Sequence, residues 1–414
     1  MAGVVLRQQG EVVPAAAPRP ERVVVAGGGV VGLSAALFLA RAGGREVVVL
    51  ERAARLGASA SGKAGGFLGG AQWAAGRELV QIHREGLALH EALARELEIA
   101  SFRRLPTVQV EHQARSEARA AVPGGAGAVL LDPASTSQTL MDAGSAQVTP
   151  LELCEKLATA ARALGAELRL GEGLARLVPA EAASALPAAG GLPVPAARFA
   201  AQLDSGRVEY FDWVVLATGS WAVAAEDYLP GLRVPMEGIA SSSLLLHAPR
   251  GARVAATAAF CDEDPQSGTS LELYPRANDT VYVCGFGESP RLRKQALLSI
   301  GPDEVPFNSA RVANVLDGLR NVLAEPLKAA VGGADMGRSA CLRPCTDDAK
   351  PMLGRVPGTN VIIATGGNCW GITWGPIMGK ACAELISTGS CASLDLAPFD
   401  PMRFSSAKAK RAQA

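Results

Sequence analysis

The chain has 414 residues, with 40 basic and 40 acidic side chains, a formal net charge of zero, and 49% hydrophobic residues. That length suffices for two domains sharing a cleft and a large buried core. The charge balance removes the electrostatic case for nucleic acid or an anionic membrane surface as partner, and no apolar run is long enough to span a bilayer.

Residues 1–20 lack the basic-then-apolar order of a secretory signal and read as a flexible arm, with an organellar signal left open. The eight Cys are scattered, without a C-x-x-C pair. They read as free thiols in a reducing compartment, so a cytoplasmic location is expected. His83, His90, His112 and His247 show no metal-ligand spacing, and no metal is expected.

Residues 22–26 form a short β-branched run, expected to be a buried parallel strand. A Gly-rich turn and a helix over 30–41 follow, then a second buried strand over 46–50. Residues 76–99 are amphipathic, with Leu79, His83, Gly86, His90, Leu93 and Leu97 at helical spacing. Thr149-Pro150 opens another helix, whose face carries Leu151, Cys154, Leu157, Ala161 and Leu164. Strands are expected over 167–170 and 174–178, then a loop insertion over 179–195, rich in Ala, Pro and Gly, and a buried strand over 213–217. The pattern changes after residue 234. Alternating strands at 239–247, 270–274 and 280–284 indicate an antiparallel sheet, hence a second domain. Residues 307–330 read as helical. The end returns to a buried strand over 361–364, a Gly-rich turn and a helix to 386. The basic tail is expected to be disordered over 402–414.

The segment VVVAGGGVVGLSAALFLARAGGREVVVLER holds Gly27, Gly29 and Gly32 as G-x-G-x-x-G. It follows a strand and opens a helix, and the next strand ends at Glu51, nineteen residues after Gly32. This is the context a dinucleotide fingerprint requires. Gly27 permits the tight turn, Gly29 the approach of a pyrophosphate, and Gly32 close packing of helix on strand. The helix N-terminus offers unpaired N–H groups to phosphates, and Glu51 suits ribose hydroxyls. The fingerprint alone does not separate FAD from NAD.

Four further segments occur in order: GASASGKAGGFLGG, LATGSW, ACLRPCTDDAKPMLG and ATGGNCWGITWGPIMGKACAELI. Together with the fingerprint they resemble the FAD-dependent oxidoreductases of the D-amino-acid oxidase superfamily, on the glycine oxidase and sarcosine oxidase branch, and most of all its plant and fungal members. The likeness runs from about residue 23 to 386. It implies an α/β fold: a Rossmann-type FAD-binding domain with an inserted antiparallel β-sheet substrate domain. The FAD part would take residues 21–100, 145–233 and 338–392, and the substrate part 101–144 and 234–337.

Carried over by position, the resemblance places Val30 and Val31 along the pyrophosphate and Glu51 and Arg52 at the ribose and adenine. Ala60 and Ser61 would lie over the diphosphate, and Gly65, Gly66 and Phe67 by the isoalloxazine. Leu174 would meet the adenine through its backbone, and Gly219 belongs to the same site. Gly367, Asn368, Cys369, Trp370, Gly371, Ile372 and Thr373 would touch the flavin ring, with a helix from about Pro376 adding its N-terminal dipole. Gly69, Gly70 and Gly379 read as simple turn formers.

On the substrate side, Arg343 matches the position that binds the substrate carboxylate in glycine oxidase, and a guanidinium fork suits a planar carboxylate. The alternative is a structural ion pair with Asp347 or Asp348. Glu272 and Tyr274 are two apart on one strand and point the same way. Either suits an amine or a hydroxyl, with an exposed strand face as the alternative for Glu272. Phe67 and Trp370 suit apolar walls. Cys341 matches the position of the covalent flavin thioether in monomeric sarcosine oxidase, against a buried thiol. Relatives commonly carry His where Gly367 stands, and often His-Pro where Thr149-Pro150 stands.

The function implied is oxidation of a small amine or amino acid by hydride transfer to FAD, with O2 or another acceptor taking the electrons. The alternative is a flavin-stabilised assembly or trafficking factor with little or no turnover.

Overall fold

The computed structural model describes residues 20–112, 127–180, 182 and 198–405. Residues 1–19 of the expected N-terminal arm, nearly all of the 179–195 insertion and the tail beyond Ser405 therefore lie outside the described residues.

In chain order the main elements are β1 (Glu21–Ala26), α1 (Val30–Ala42), β2 (Arg45–Glu51), α2 (Val80–Glu96), β3 (Thr107–His112), β4 (Thr136–Asp142), α3 (Pro150–Ala163), β5 (Glu167–Leu170), β6 (Leu174–Pro179), β7 (Phe199–Leu203), β8 (Val208–Phe211) and β9 (Trp213–Leu216). The second half contributes β10 (Met236–His247), β11 (Ala258–Cys261), β12 (Glu272–Pro275), β13 (Thr280–Cys284), α4 (Val312–Val322), β14 (Gly337–Thr346), β15 (Met352–Arg355), β16 (Val361–Thr365) and α5 (Gly371–Thr388).

Six strands form one sheet in the order β15-β16-β9-β1-β2-β5, parallel except at β15. Its central strands are short uninterrupted runs, Val23–Val25 and Val47–Leu50, as strands covered on both faces require. α1, α2, α3 and α5 cover one face through Leu33, Leu37, Ile82, Leu153, Leu157 and Ile377. The other face meets the three-stranded sheet β6-β7-β8 through Val24, Val48, Phe199 and Phe211. α1 carries Leu33, Ala35, Ala36, Leu37 and Leu39 buried, because it lies between the sheet and α5. Gly375 and Gly379 of α5 permit that contact: a Cβ on Gly379 would stand 2.5 Å from the Ala35 amide nitrogen. Gly379 is thus a helix-packing residue, not a turn former.

The larger sheet runs β10-β13-β12-β11-β3-β4, and β14 pairs with β10 along ten residue pairs, from Met236↔Thr346 to Leu245↔Gly337. It is antiparallel as expected, except that β3 and β11 run parallel. Its core includes Val108, Leu244, Leu273, Val283 and Leu319, the last from α4. β14 crosses the expected boundary at 337/338 and carries residues of this sheet toward the six-stranded one.

The buried face of α3 is Leu153, Cys154, Leu157, Ala158 and Ala161. Leu151, at the edge of that stripe, and Leu164, the C-cap, are 42% and 50% exposed. The helix expected over 76–99 begins at Val80, after a 3-10 turn at Arg77–Leu79. The helix expected over 307–330 is confined to Val312–Val322, with 3-10 turns at Ser309–Arg311 and Lys328–Ala330. Leu323 is extended there, Ala324 N–H donates to Leu130 O at 2.9 Å, and Glu325 precedes a proline, which disfavours helix. The tail is not disordered over 402–405. Pro401–Phe404 is a 3-10 turn, Met402 is buried, and Arg403 grips Asp348 with both nitrogens of its fork at 2.8 and 3.0 Å.

Gly32→Ala tests the central crossing, since a Cβ there would stand 1.9 Å from Gly27 O. The expected cost is about 2 kcal/mol or more, read as a lowered Tm. Gly171→Ala, with positive φ but open space around the Cβ, is expected to cost only about 1 kcal/mol.

Candidate active site

The turn between β1 and α1 brings three backbones together. Gly27 has φ +115°, and a Cβ on it would meet Ala217 O at 2.3 Å. Gly29 faces Ser61, whose Oγ accepts from Val30 N–H at 3.0 Å, one of the unpaired donors of the first turn of α1. Glu51 closes the arrangement, accepting from Gly28 N–H and Ala53 N–H, each at 2.8 Å.

Two cavities extend from this turn. The smaller, about 180 Å3, is lined by Gly27, Glu51, Arg52, Leu174 and Tyr228. The larger, about 430 Å3, reaches Arg343, Glu272 and Trp370. They share Gly29, Ala60, Ser61, Ala217 and Gly219, so together they form one elongated channel that turns at the glycine motif. Arg52 donates to Asp204 at 2.7 and 3.1 Å and to Leu174 O at 3.2 Å, joining the strand ends at the rim. The segment 298–304 lies across the smaller cavity. Trp221 Nε1 donates to Ile300 O at 3.0 Å, Lys63 Nζ donates to Pro302 O at 2.6 Å, and Arg55 pairs with Asp303.

In the larger cavity, β12 and β13 set Glu272 opposite Cys284 and Tyr274 opposite Tyr282. Tyr274 O–H donates to Glu272 Oε2 at 2.5 Å, and the Cys284 thiol donates to the same oxygen at 3.3 Å. Phe67, Tyr274 and Tyr282 stack, with ring centroids 5.3 and 6.2 Å apart. Gly65 lies against this stack: a Cβ there would stand 2.4 Å from the Tyr274 ring. Burial, followed by the Glu272 charge, pushes the Tyr274 phenol well above its usual value, so it acts as a donor. Burial also pushes the Cys341 thiol up to about 11, which keeps it a neutral thiol at the cavity wall. Arg343 Nε donates to Ser241 Oγ at 2.6 Å. Its expected alternative is not found: Asp348 is held by Arg403 instead, and no ion pair joins Arg343 to Asp347 among the described residues.

The opposite wall is the Gly-rich turn before α5. Gly366 has φ +77° and Asn368 φ +50°, and Asn368 Oδ1 accepts from the Cys345 thiol at 3.0 Å. A Cβ on Gly367 would stand 2.6 Å from Gly371 Cα, so this turn has no room for the histidine common in relatives. α5 begins at Gly371, not near Pro376. The missing N–H of Pro376 would leave Ile372 O without its helical donor. His90 Nε2 supplies one at 2.7 Å. Gly86 brings α2 close enough, since a Cβ there would stand 2.5 Å from Thr373 O. His83 is likewise a packed histidine, with Nδ1 2.9 Å from Gly69 O and its ring edge-on to Trp370 and Trp374.

Most expected site residues thus line the channel: Gly27, Gly29, Val30, Val31, Glu51, Arg52, Ala60, Ser61, Gly65, Gly66, Phe67, Leu174 and Gly219 on one side, and Glu272, Tyr274, Arg343 and 367–372 on the other. Two do not. Thr373 is fully buried, directed to Phe67 O, and Gly32 lies beneath the turn. Ser241, Trp73, Phe260 and Cys284 were not identified from sequence. Their neighbours across the cavity come from distant strands, and no local spacing marks them.

Residues 22–385 match the family model described as FAD dependent oxidoreductase. A Schizosaccharomyces pombe protein named "Putative oxidoreductase C1F5.03c" is 24% identical over 403 residues, covering 92% of this chain and 97% of that protein. Among solved structures, glycine oxidase from Geobacillus kaustophilus has a TM-score of 0.72 at 20% identity, covering 93% of this chain and 100% of that one. L-proline dehydrogenase from P. horikoshii has a TM-score of 0.67 at 18% identity, covering 96% and 100%. No helix among the described residues is long and apolar enough to cross a membrane.

His90 carries a pH signature. Burial lowers its pKa from 6.5 to about 4. Between those values the unfolded chain binds the extra proton, so stability falls as pH falls from 6.5 to 4, by about 3 kcal/mol in all from this group. Thermal melts across that range should show the loss, and His90→Gln should flatten its slope. At pH 7, His90→Ala is expected to cost about 1–3 kcal/mol by stranding Ile372 O, with Gln recovering part of it.

Proposed function

This chain belongs to the FAD dependent oxidoreductase family, and we propose that it oxidises a small amine or amino acid at a CH–NH bond. The observation that carries this reading is the placement of Arg343, free of any carboxylate partner among the described residues, on the wall of the larger arm of a channel that turns at the dinucleotide fingerprint.

The channel fits FAD on its own geometry. The crowding at Gly27 and Gly29 makes a cradle of bare backbone beside the N-terminus of α1, where N–H groups and the helix dipole suit a diphosphate. Glu51 and Arg52 would hold the ribose and adenine end, with Leu174 beside them. Val30, Val31, Ala60 and Ser61 would follow the diphosphate. Gly65, Gly66, Phe67, Gly219 and the turn from Gly367 to Ile372 would face the ring. When bound, FAD supplies the two-electron acceptor that none of these side chains provides.

The chain's own residues do the rest. Arg343 would take a carboxylate through its two Nη groups, Nε being held by Ser241. Phe67, Tyr274 and Trp370 supply apolar walls that exclude water and fix the substrate Cα. The bound ammonium must give up a proton before hydride leaves Cα, and Glu272 is the carboxylate on the cavity wall that would receive it. O2 or another acceptor would complete the cycle. All eight Cys are unpaired, which suits the cytoplasm. The six-stranded sheet would serve as the cofactor part and the larger sheet as the substrate part.

Purified protein should be yellow and bleach anaerobically with at least one of glycine, sarcosine or the D- and L-amino acids. A yellow protein bleached by none of them favours the non-catalytic alternative. Arg343→Ala should lower kcat/KM for the bleaching substrate about 30- to 1000-fold, a loss of about 2–4 kcal/mol, with Lys restoring only part. Denaturation should release all flavin into the supernatant, because Cys341 is held as the neutral thiol; protein-bound flavin after denaturation would count against that assignment.

A further inference from the structure

Glu272 and Arg343 carry opposite charges on the wall of one cavity, yet among the described residues neither forms an ion pair with the other or with any third group. Charged groups in a half-buried cavity ordinarily pair where geometry lets them, because an uncompensated charge there is costly. Here the fold holds them apart. Arg343 is tethered through Nε to Ser241 on β10, and Glu272 is fixed from β12 and β13.

The two protein donors to Glu272 converge on one oxygen. Tyr274 O–H and the Cys284 thiol both reach Oε2, a consequence of the ladder that puts Glu272 opposite Cys284 and Tyr274 opposite Tyr282. Oε1 has no donor among the described residues. Tyr274 and Cys284 are both held protonated by burial, so they remain donors and orient the carboxylate without neutralising it. One oxygen of a carboxylate that lines the same cavity as Arg343 is thereby left without a protein donor.

We propose that Glu272 is the counter-charge for the substrate ammonium, so that the site selects a zwitterion, with carboxylate on Arg343 and ammonium on Glu272. The assignment rests on the amine or amino-acid reading above and adds the residue that discriminates against uncharged and anionic analogues such as hydroxy acids. An N–H donor reaching Oε1 would form a charge-assisted hydrogen bond beside aromatic walls that exclude water.

A matched pair of probes isolates this contact. 2-Aminoisobutyrate has no hydrogen on Cα and cannot be oxidised there, and pivalate replaces its ammonium by a methyl group of nearly the same shape. Calorimetric titration of the FAD-loaded enzyme at pH 7 should show 2-aminoisobutyrate binding at least about tenfold tighter than pivalate. Glu272→Gln, checked for full flavin content, should bring the ratio close to one by weakening 2-aminoisobutyrate, with pivalate bound no more weakly than by the wild type. Glu272→Asp should keep part of the preference, and Arg343→Ala should weaken both probes. Equal affinities in the wild type, a preference that survives Glu272→Gln, or binding of neither probe would overturn the assignment. A preference abolished by Gln, in a protein that no amino acid bleaches, would uphold the assignment and sink the oxidation reading instead.

Discussion

The molecule turns on a contact with no spare volume. Gly27 O and the Cα of Gly32 are so close that a methyl group has no place between them, and this draws the start of α1 down onto the end of β1. Glu51 reaches from the neighbouring strand to the amide of Gly28, and Ser61 caps the first turn of α1 from the following loop. The corner of the channel, its cradle of backbone donors and its link to the second cavity all follow from that contact.

Around this corner the structure sets two kinds of wall. The six-stranded sheet side contributes mostly bare backbone, at Gly27, Gly29, Gly65, Gly66 and Gly219. The larger sheet provides side chains on alternating positions, so Glu272 and Tyr274 of β12 and Ser241 of β10 enter the cavity while Leu273 and Leu244 enter the core. The wall completed by α5 depends on a substitution of donors: an imidazole from α2 replaces the amide that Pro376 lacks.

What could be read in advance was local in the chain. The β1-α1-β2 unit, its glycines and Glu51 lie within about thirty residues, and Gly27 and Gly32 each have a reason in a close backbone contact. The shared face of Glu272 and Tyr274 followed from strand alternation. What escaped was set by distant partners. Ser241 meets Arg343 only because β10 and β14 align in one register. Thr373 turns away from the channel to donate to Phe67 O, a partner 306 positions earlier in the chain. Pro376 looked like a helix start because its compensating donor is 286 positions earlier in the chain. The exposed Leu151 obeys helical spacing and still misses the core, since periodicity names a stripe but not where the neighbouring helix ends.

The segment over the smaller cavity acts as a clasp. Ile300, Pro302 and Asp303 are fastened to Trp221, Lys63 and Arg55, residues of the turns that frame the glycine motif. An adenine dinucleotide lying beneath them would be enclosed by two parts of the chain at once. It could leave only after these fastenings part, so its departure would be slow. Its presence would also weld the two sheets into a single cooperative body, because a ligand held only by the folded form stabilises every element that encloses it.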